Sequence, residues 1–418
     1  MRLLLAAIFM SLCVPSLWAQ EAGPLYLDPE NAVGAKASVL FSDIELIPLE
    51  TTDESYFSNT VDFVVTPEYF VFLDNISNAV LIFDRQGKFV HRYKKKKYAL
   101  QSIQYLPAKN ALFITGRNKN YTIRDMKAQQ MIAQPGKRNF AKYTSLELLH
   151  LDKDSGYRVE SLPVPKFSLA NLIAFGDQYL FVSERYNKYI KDTTAYHLYI
   201  AEGNEVVKSY FPYLNIPKLA PYYEGVNFSV NPSPDGSSLL IQKEFDNTIY
   251  KLTKDSLAVL YRFVFPADQS MSGDFLNTLY KNNIEFNTAK NKNKKVIAGY
   301  NNIMEHGNLL FFSFNRLSYA SNSFLFNKSD NKLLDLSKIT SDSTVYFLPP
   351  AIFTRISQQD AGHVYSRISS TELLREKDKL LAKKDELPEK VRELLKNYSK
   401  FDNPVIIQLK VNNPATAQ

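Results

Sequence analysis

The sequence predicts an all-β protein, a six-bladed β-propeller with a helical insertion before its closing strand. Three observations support this prediction. Strand-forming aromatic residues are abundant, with 26 Tyr and 28 Phe among 418 residues. Short apolar hairpins recur at intervals of roughly 40–75 residues, which is typical of propeller blades with irregular insertions. Near the C-terminus a seven-residue spacing of leucines replaces the alternation expected of strands.

The N-terminal residues have the layout of a secretory signal. Arg2 precedes a largely apolar run, and Ala19 is a small residue in front of a possible cleavage point. The run is too short to span a bilayer. We therefore expect cleavage after Ala19 and a periplasmic or secreted protein without a transmembrane span. A lipid anchor at Cys13 is the alternative, although Leu12 stands where such anchors have a small residue.

Loss of this segment would remove Cys13 and Trp18, the only cysteine and the only tryptophan of the chain. The mature protein would then have no disulfide, no thiol nucleophile and no cysteine-ligated zinc. The 14 glycines include no Gly-rich phosphate loop, and the five histidines are far apart in sequence. We therefore expect no cofactor. Calcium in the channel stays open, because acids and amides from several blades could converge there.

Six apolar hairpins predict the two inner strands of each blade. They begin at Phe63, Ile103, Leu172, Phe228, Ile303 and Ala351. More polar hairpins follow most of them and predict the outer strands. These begin at Val80, Tyr121, Tyr196, Asn247 and Ser323. The hairpin from Leu148 fits no blade in this scheme, and we interpret it as an insertion.

Residues 371–398 predict the helical insertion. Leucines at seven-residue spacing form an apolar stripe, and Pro388 marks a break between two helices. We expect the pair to pack on the side of the propeller, with a coiled-coil or membrane-surface role as the alternative. Strand character returns at residues 403–412, which can pair with residues 43–50 to complete the last blade.

These elements divide the chain into five parts. They are a signal peptide at residues 1–19, a lead-in at 20–42, the propeller at 43–412, its helical insertion at 371–398, and a tail at 413–418.

Four segments have sequences typical of one known family. They are residues 44–55 (IELIPLETTDES), 80–90 (VLIFDRQGKFV), 246–263 (DNTIYKLTKDSLAVLYRF) and 402–410 (DNPVIIQLK). In these segments the chain resembles the exported six-bladed β-propellers of Bacteroides-type bacteria, which are related to NHL-repeat propellers. The resemblance implies export and a binding or accessory role, often near glycan-uptake systems, and it supplies no catalytic residues. The chain departs from the family at residues 94–101, where KKKKYALQ replaces a Gly-rich turn.

In a propeller, the loop after the second strand of each blade opens on one face beside the channel. At this position the sequence has Asp74 in the first blade and a basic residue in each of the others. The basic residues are Arg117, Arg185, Lys243, Arg316 and Arg367, with Tyr186 and Phe245 close by. We call these seven residues the basic ring. We expect the ring to attract an anion, since arginine binds carboxylate or sulfate through two hydrogen bonds. The alternative is that charged loop tips have no ligand.

Two basic runs, at residues 94–97 and 290–295, raise the question of nucleic acid, as does the net charge of +7. Exported proteins rarely meet nucleic acid, and the runs include no basic strand interleaved with aromatic residues. We interpret both runs as solvated loops and expect no nucleic-acid partner.

The sequence therefore favours a non-catalytic binding or accessory protein, whose partner is an anionic glycan or a protein of the cell envelope. A calcium-dependent, lactonase-like hydrolase with its site in the channel is the alternative. No G-x-S-x-G motif supports serine-hydrolase chemistry, and we identify no catalytic residue. A third possibility is a structural partner of an outer-membrane complex, for which the helical pair would be the contact surface.

Overall fold

The computed structural model confirms a six-bladed β-propeller. It describes residues 23–57, 60–122, 124–125, 142–153, 156–164, 172–176, 178–182, 196–203, 205–212, 228–278, 280–318 and 321–412. The expected signal peptide, Cys13 and the C-terminal tail lie outside the described residues, as do Arg185 and Tyr186 of the basic ring. These predictions therefore stay predictions.

The chain enters the fold through three short elements and then builds blades 1 to 3 in order. The first elements are β1 (Pro24–Tyr26), α1 (Ala37–Leu40) and β2 (Phe41–Pro48). Blade 1 consists of β3 (Thr60–Val65), β4 (Tyr69–Asp74), β5 (Ala79–Asp84) and β6 (Phe89–Lys94). Blade 2 consists of β7 (Tyr98–Leu106), β8 (Ala111–Asn118), β9 (Thr144–His150) and β10 (Val159–Leu162). Blade 3 consists of β11 (Leu172–Phe175), β12 (Gln178–Val182), β13 (Tyr196–Glu202) and β14 (Glu205–Pro212).

Blades 4 to 6 include the helices. Blade 4 consists of β15 (Phe228–Pro232), β16 (Leu239–Lys243), β17 (Thr248–Leu252) and β18 (Leu257–Val264). Helices α2 (Gly273–Asn277) and α3 (Asn283–Lys292) lead to blade 5, with β19 (Ile297–His306), β20 (Leu309–Arg316), β21 (Ser321–Asn327) and β22 (Lys332–Asp335). Blade 6 has β23 (Gln358–Gln359), β24 (His363–Ile368) and β25 (Val405–Val411), with α4 (Ser370–Leu381) and α5 (Glu389–Asn397) between its last two strands.

The first strand of each blade is the inner one. Contacts join β3 to β7, β7 to β11, β15 to β19, β19 to β23, and β23 back to β3. The apolar core is divided into clusters that lie between neighbouring blades. For example, Phe63 and Phe72 of blade 1 pack with Tyr365 and Ile406 of blade 6. The core thus lies between the faces of the blades, as expected for sheets packed side by side around an axis.

The predicted inner hairpins are confirmed in blades 1 to 5, where the register places the two strands of each hairpin side by side. The hairpin predicted from Ala351 in blade 6 is confirmed only in part. Its first strand is reduced to Gln358–Gln359, because Pro350–Arg355 form a 3-10 helix. The interpretation of blade 2 is wrong in one respect. Strands β9 and β10, which contain the hairpin from Leu148, form its outer pair, so this hairpin is not an insertion. The outer strands predicted from Tyr121 therefore have no place in blade 2, and most of that segment lies outside the described residues.

The helical insertion is confirmed as α4 and α5. Ser369 and Glu372 form the capping box that starts α4. Leu373, Leu380 and Leu395 are buried in the apolar cluster of blade 6. The pair therefore packs on the side of the propeller, as the leucine stripe predicted.

Residues 24–48 form an extended segment along the outer edges of blades 4 to 6, which we call the N-terminal belt. Strand β1 pairs parallel with β18 of blade 4, and Val33 then bridges to Leu334 of blade 5. The belt ends as β2, the outermost strand of blade 6, in which Ile44 lies opposite Leu409. The predicted pairing of the first and last strands is confirmed, and most of the lead-in proves to be part of the propeller's edge.

Candidate anion-binding surface on blade 2

The four lysines at residues 94–97 lie in the loop that leads from blade 1 to blade 2. Asn78 fixes this loop with three hydrogen bonds. Its Nδ2 donates to the carbonyls of Lys95 and Tyr98, at 3.0 and 2.9 Å, and its Oδ1 accepts from the backbone N–H of Leu100 at 2.7 Å. Asn78 has a positive φ of 51°, which asparagine tolerates better than most residues. The loop is therefore held to the body of the protein.

One of the four lysines points inward, which corrects the interpretation of the run as a solvated loop. The Lys95 ammonium group and the Tyr93 hydroxyl both contact the carboxylate of Glu147 on β9, and Glu147 is only 4% exposed. A buried carboxylate needs such a cationic partner. Lys94, Lys96 and Lys97 are exposed, so their charges face solvent.

The loop after β8 lies against the lysine loop. The backbone N–H of Lys119 donates to the carbonyl of Lys97 at 3.2 Å. Arg117, at the end of β8, pairs with Ala99 at the start of β7 and is exposed. The structure therefore places Arg117 next to the lysine run. Nothing in the sequence had connected these two features.

A third segment, just before β9, completes the surface. The N–H of Asn118 donates to the carbonyl of Tyr143 at 2.7 Å. The rings of Tyr121 and Tyr143 lie 4.5 Å apart, and the Lys142 ammonium group is 5.6 Å from the Tyr143 ring. A lysine above an aromatic face is held by the charge distribution of the ring.

Together these segments form what we call the blade 2 basic surface. Its members are exposed Lys94, Lys96, Lys97, Arg117, Lys119, Arg124 and Lys142, with half-buried Tyr98, Tyr121 and Tyr143. Asp125 is the single acid in the three segments, and hydrogen bonds from Thr122 lower its pKa, so it stays ionised. No basic strand interleaved with aromatic residues was expected beside the lysines, but three tyrosines lie among the cations of this surface. Tyr98, which directly follows the lysines, was the available signal.

Two hydroxyl groups beneath this surface have no hydrogen-bond partner among the described residues. They belong to Tyr121 and to Thr144, the first residue of β9. Burial, with smaller effects from Tyr143 and Asp125, raises the pKa of Tyr121 to about 12, so its hydroxyl keeps its proton and can donate.

The remaining described members of the basic ring lie in blades 4 to 6, each with neighbours of its own. The Lys243 ammonium group is 5.9 Å from the Phe211 ring, and burial lowers its pKa. Phe245 packs in a small apolar cluster with Phe275 of α2. The Arg316 guanidinium group donates to the carbonyl of Lys295 at 2.5 Å.

Arg367 lies on β24. Its burial lowers its pKa, and the positive charge of the nearby Arg355 lowers the pKa further. None of these contacts brings the described ring members to Arg117. The blade 2 basic surface therefore gathers one member of the ring, and a shared site at the channel mouth stays a prediction.

Side chains of the inner strands tie neighbouring blades together beside the channel. Asp62 on β3 accepts the N–H of Ile103 on β7 at 3.0 Å, and burial raises its pKa. Gln104 makes two hydrogen bonds to the backbone of Ala174 on β11. No group of three or more His, Cys, Asp or Glu residues in the described part of the chain could hold a metal ion. Likewise, none of the helices there is both long and apolar enough to cross a membrane.

Comparisons with known proteins agree with the architecture. A family model described as a 6-bladed beta-propeller matches residues 26–96 and 152–364. A crystal structure of a Bacteroides fragilis protein assigned as exported is similar, with a TM-score of 0.62 and 16% identity. The match covers 94% of this chain and 100% of that one. At this identity the likeness shows the fold alone.

Two further solved structures are similar more loosely. One is a member of the duf4221 family from Bacteroides vulgatus, with a TM-score of 0.43, 12% identity, and 89% and 99% of the two chains covered. The other is an oligogalacturonate lyase in complex with manganese, with a TM-score of 0.40, 9% identity, and 85% and 77% covered. Neither superposes well enough to carry an argument about function. No curated protein matches the sequence.

Proposed function

The chain belongs to the DUF5128 family of six-bladed β-propellers, and we propose that this propeller is an exported binding protein that recognises an anionic glycan. The binding site in this proposal is the blade 2 basic surface. The observation that carries the proposal is the hydrogen bond from Lys119 to Lys97, because it joins two basic loops into one surface. The activity is recognition, and no catalytic residue is assigned.

The charge balance of the surface supports an anionic ligand. Seven exposed cations share the surface with one carboxylate, Asp125, so they repel one another and create a positive potential. A polymer with repeated carboxylate or sulfate groups would relieve this repulsion along its length. The tyrosines favour a glycan over a simple ion, since their rings can pack against sugar rings while their hydroxyls form hydrogen bonds.

The first prediction concerns this surface directly. We expect the chain from residue 20 onward, which contains every described residue, to bind polygalacturonate and dextran sulfate but not uncharged dextran. Combining Lys96→Glu, Lys97→Glu and Lys119→Glu should weaken binding at least tenfold, because three attractive charges become repulsive. Isothermal titration calorimetry at 0.1 M and 1 M NaCl measures this. The Debye length falls from about 10 Å to about 3 Å between these salt concentrations, so affinity should fall as well.

A matched control has the same change in net charge elsewhere. Lys254→Glu, Lys332→Glu and Lys384→Glu replace three exposed lysines outside the surface. This variant should bind like the wild type, and both triple variants should keep the wild-type melting temperature. Equal weakening in the two variants would mean that only net charge matters, which contradicts a defined site. Equal binding of double-stranded DNA would contradict glycan recognition, and release of sugar that EDTA abolishes would instead favour the calcium-dependent hydrolase.

A further inference from the structure

A cleft in blade 5 has a polar lining in a place where its neighbours are apolar. One face of this blade packs against blade 6 through Met304, Phe311 and Leu325, which lie side by side on three adjacent strands. Side chains two residues further along β20 and β21 point to the same face, and the register shift in β19 brings Asn301, three residues from Met304, to the same level. There the apolar residues give way to serine and asparagine, and a cavity of about 320 Å³ opens.

Strand register shows how the lining is built. Ser313 on β20 lies opposite Asn301 on β19 and opposite Ser323 on β21, so the three side chains form one row. The Oγ atoms of Ser313 and Ser323 are 2.9 Å apart, and Ser323 Oγ also donates to the carbonyl of Thr354 at 2.9 Å. Ser313 is only 5% exposed. The row is thus fixed at both ends, by β19 and by the segment that leads into blade 6.

Asn301 has one hydrogen-bonding atom that the described residues do not satisfy. Its Nδ2 donates to Oδ1 of Asn315 at 3.2 Å, whereas its own Oδ1 is buried and accepts from no described residue. The next residue, Asn302, has a positive φ of 51° within a break in the register of β19. A buried acceptor without a donor is unfavourable, so this atom favours a donor arriving from the cleft.

We propose that the blade 5 cleft binds an uncharged polyhydroxylated ligand, namely a single sugar unit or a polyol. Among the described residues its lining consists of serine, asparagine and threonine, without a charged or aromatic side chain. Serine and threonine hydroxyls both donate and accept, and an asparagine amide offers both functions, which matches the hydroxyls of such a ligand. The volume lies at the lower end of the range of roughly 300–1,000 Å³ for small-molecule sites.

This site is separate from the proposed anion-binding surface. The cleft is neutral and belongs to blade 5, whereas the basic surface belongs to blade 2, so either can fail without the other. No described residue of its lining is a base that could activate a serine nucleophile, so we assign binding and no reaction to the cleft.

The test uses five uncharged probes, which are glucose, galactose, mannose, N-acetylglucosamine and myo-inositol. Each is titrated up to 50 mM into the chain from residue 20 onward, with binding followed by calorimetry. We expect at least one probe to bind. Ser313→Ala should weaken that binding about tenfold, and Ser321→Trp should abolish it by filling the mouth of the cleft from an exposed position. Lys332→Trp, on the exposed outer strand of the same blade, is the matched control and should bind normally.

Three outcomes would overturn the proposal. They are the absence of binding by all five probes at 50 mM, binding that Ser321→Trp leaves intact, and a crystal structure at 50 mM of each probe that contains ordered water only in the cleft. A melting temperature equal to that of the wild type confirms that Ser313→Ala and Ser321→Trp are folded. Polygalacturonate binding to Ser321→Trp should be unchanged, which separates this site from the blade 2 basic surface.

Discussion

Blades 4 and 5 differ from blades 2 and 3 in how their outer edges are protected. The N-terminal belt pairs with β18 and bridges to β22, so the outer strands of blades 4 and 5 have a neighbour on both sides. In the described part of blades 2 and 3, no further strand pairs with β10 or β14. Strand β10 has only four residues, and β14 includes Glu205 and Lys208 and ends at Pro212. Short strands, charges and proline are known ways to keep an open edge from pairing with another chain.

The difference indicates that the stabilising contacts of the belt and the proposed binding surface belong to different halves of the ring. Blades 4 to 6, which contact the N-terminal belt, gain stability from residues that are distant along the chain. This half of the ring also includes the buried leucine cluster under α4 and α5. The other half includes the blade 2 basic surface, where like charges lie close together and repel one another. The following predictions test this division, from the largest expected effect to the smallest.

Leu27→Ala tests the anchor of the belt. Leu27 is 2% exposed, packs in the apolar cluster between blades 4 and 5, and donates its N–H to the carbonyl of Val264 at 2.9 Å. Truncating a buried leucine leaves a cavity, so we expect the free energy of unfolding to fall by about 2–5 kcal/mol. Val206→Ala on the open edge of blade 3, at a side chain that is 43% exposed, should change it by less than about 0.5 kcal/mol. Urea denaturation measures both, and similar losses would remove the distinction between the two edges.

Gly34→Ala tests the contact of the belt with blade 5. A Cβ atom at Gly34 would lie 2.1 Å from the carbonyl oxygen of Lys338, which is backbone and cannot move aside freely. We expect a loss of about 1–3 kcal/mol, comparable to overpacking a core. Amide hydrogen exchange should quicken at Asp335 and Thr340, whose N–H groups donate to Val33 and Ala35.

Gly23→Ala is the control for this prediction, because nothing lies within 4 Å of a Cβ atom there. It should leave stability and exchange unchanged. Wild-type exchange at Asp335 and Thr340 in the Gly34→Ala variant would show that the belt is not held at this point.

Asp360→Asn tests the seam between blade 6 and blade 1. Asp360 Oδ2 is 2.9 Å from the Arg85 guanidinium group. Burial raises the pKa of Asp360, but hydrogen bonds from Tyr365, Gly362 and Arg85 outweigh this effect and hold it to about 2. An unfolded aspartate has a pKa of about 3.9, so the ionised carboxylate stabilises the fold above about pH 4, and this contribution is lost as the pH falls toward 2.

About a third of the Asp360 side chain is exposed, so solvent screening reduces the contribution to about 1 kcal/mol. We therefore expect Asp360→Asn to be less stable than the wild type by this amount at pH 7 and equally stable near pH 2. Urea denaturation at pH 7, 4 and 2 checks the trend. A difference that is constant across this range would mean that the ion pair with Arg85 does not hold the seam.

Much of the fold could be predicted from sequence because inner strands are continuous apolar runs bounded by turn residues, such as the strands around Phe70 and Phe311. The outer strands of blade 2, β9 and β10, could not be predicted. The sequence between residues 119 and 143 separates β8 from β9, and it has a strand-like pattern of its own. The part of the belt before β2, residues 24–40, was also missed. Its contacts are a three-residue parallel pairing and two single bridges, at Val33 and Lys36, which have no periodicity to detect.

The candidate surface was predictable only in part. Arg117 could be identified as a charged residue at a strand end. Other members of the surface, such as Lys97 and Tyr143, come from segments about 20 residues or more away along the chain. Such contacts depend on how two loops lie against each other. Polar residues on strands, such as Ser313 and Ser323, resemble ordinary alternation until the register places them in one row.

The joining of β2 to β25 also determines the order in which the molecule can fold. Ile44 is synthesised long before its partner Leu409, and the strands of all the other blades lie between them in the chain, so blade 6 cannot be completed until that whole stretch is available. Bringing such distant segments together is entropically costly and slows folding. Until that moment the nascent chain presents unpaired strand edges, the kind of surface that aggregates or binds chaperones. The pairing that closes the ring therefore also determines how long the folding chain is exposed to aggregation.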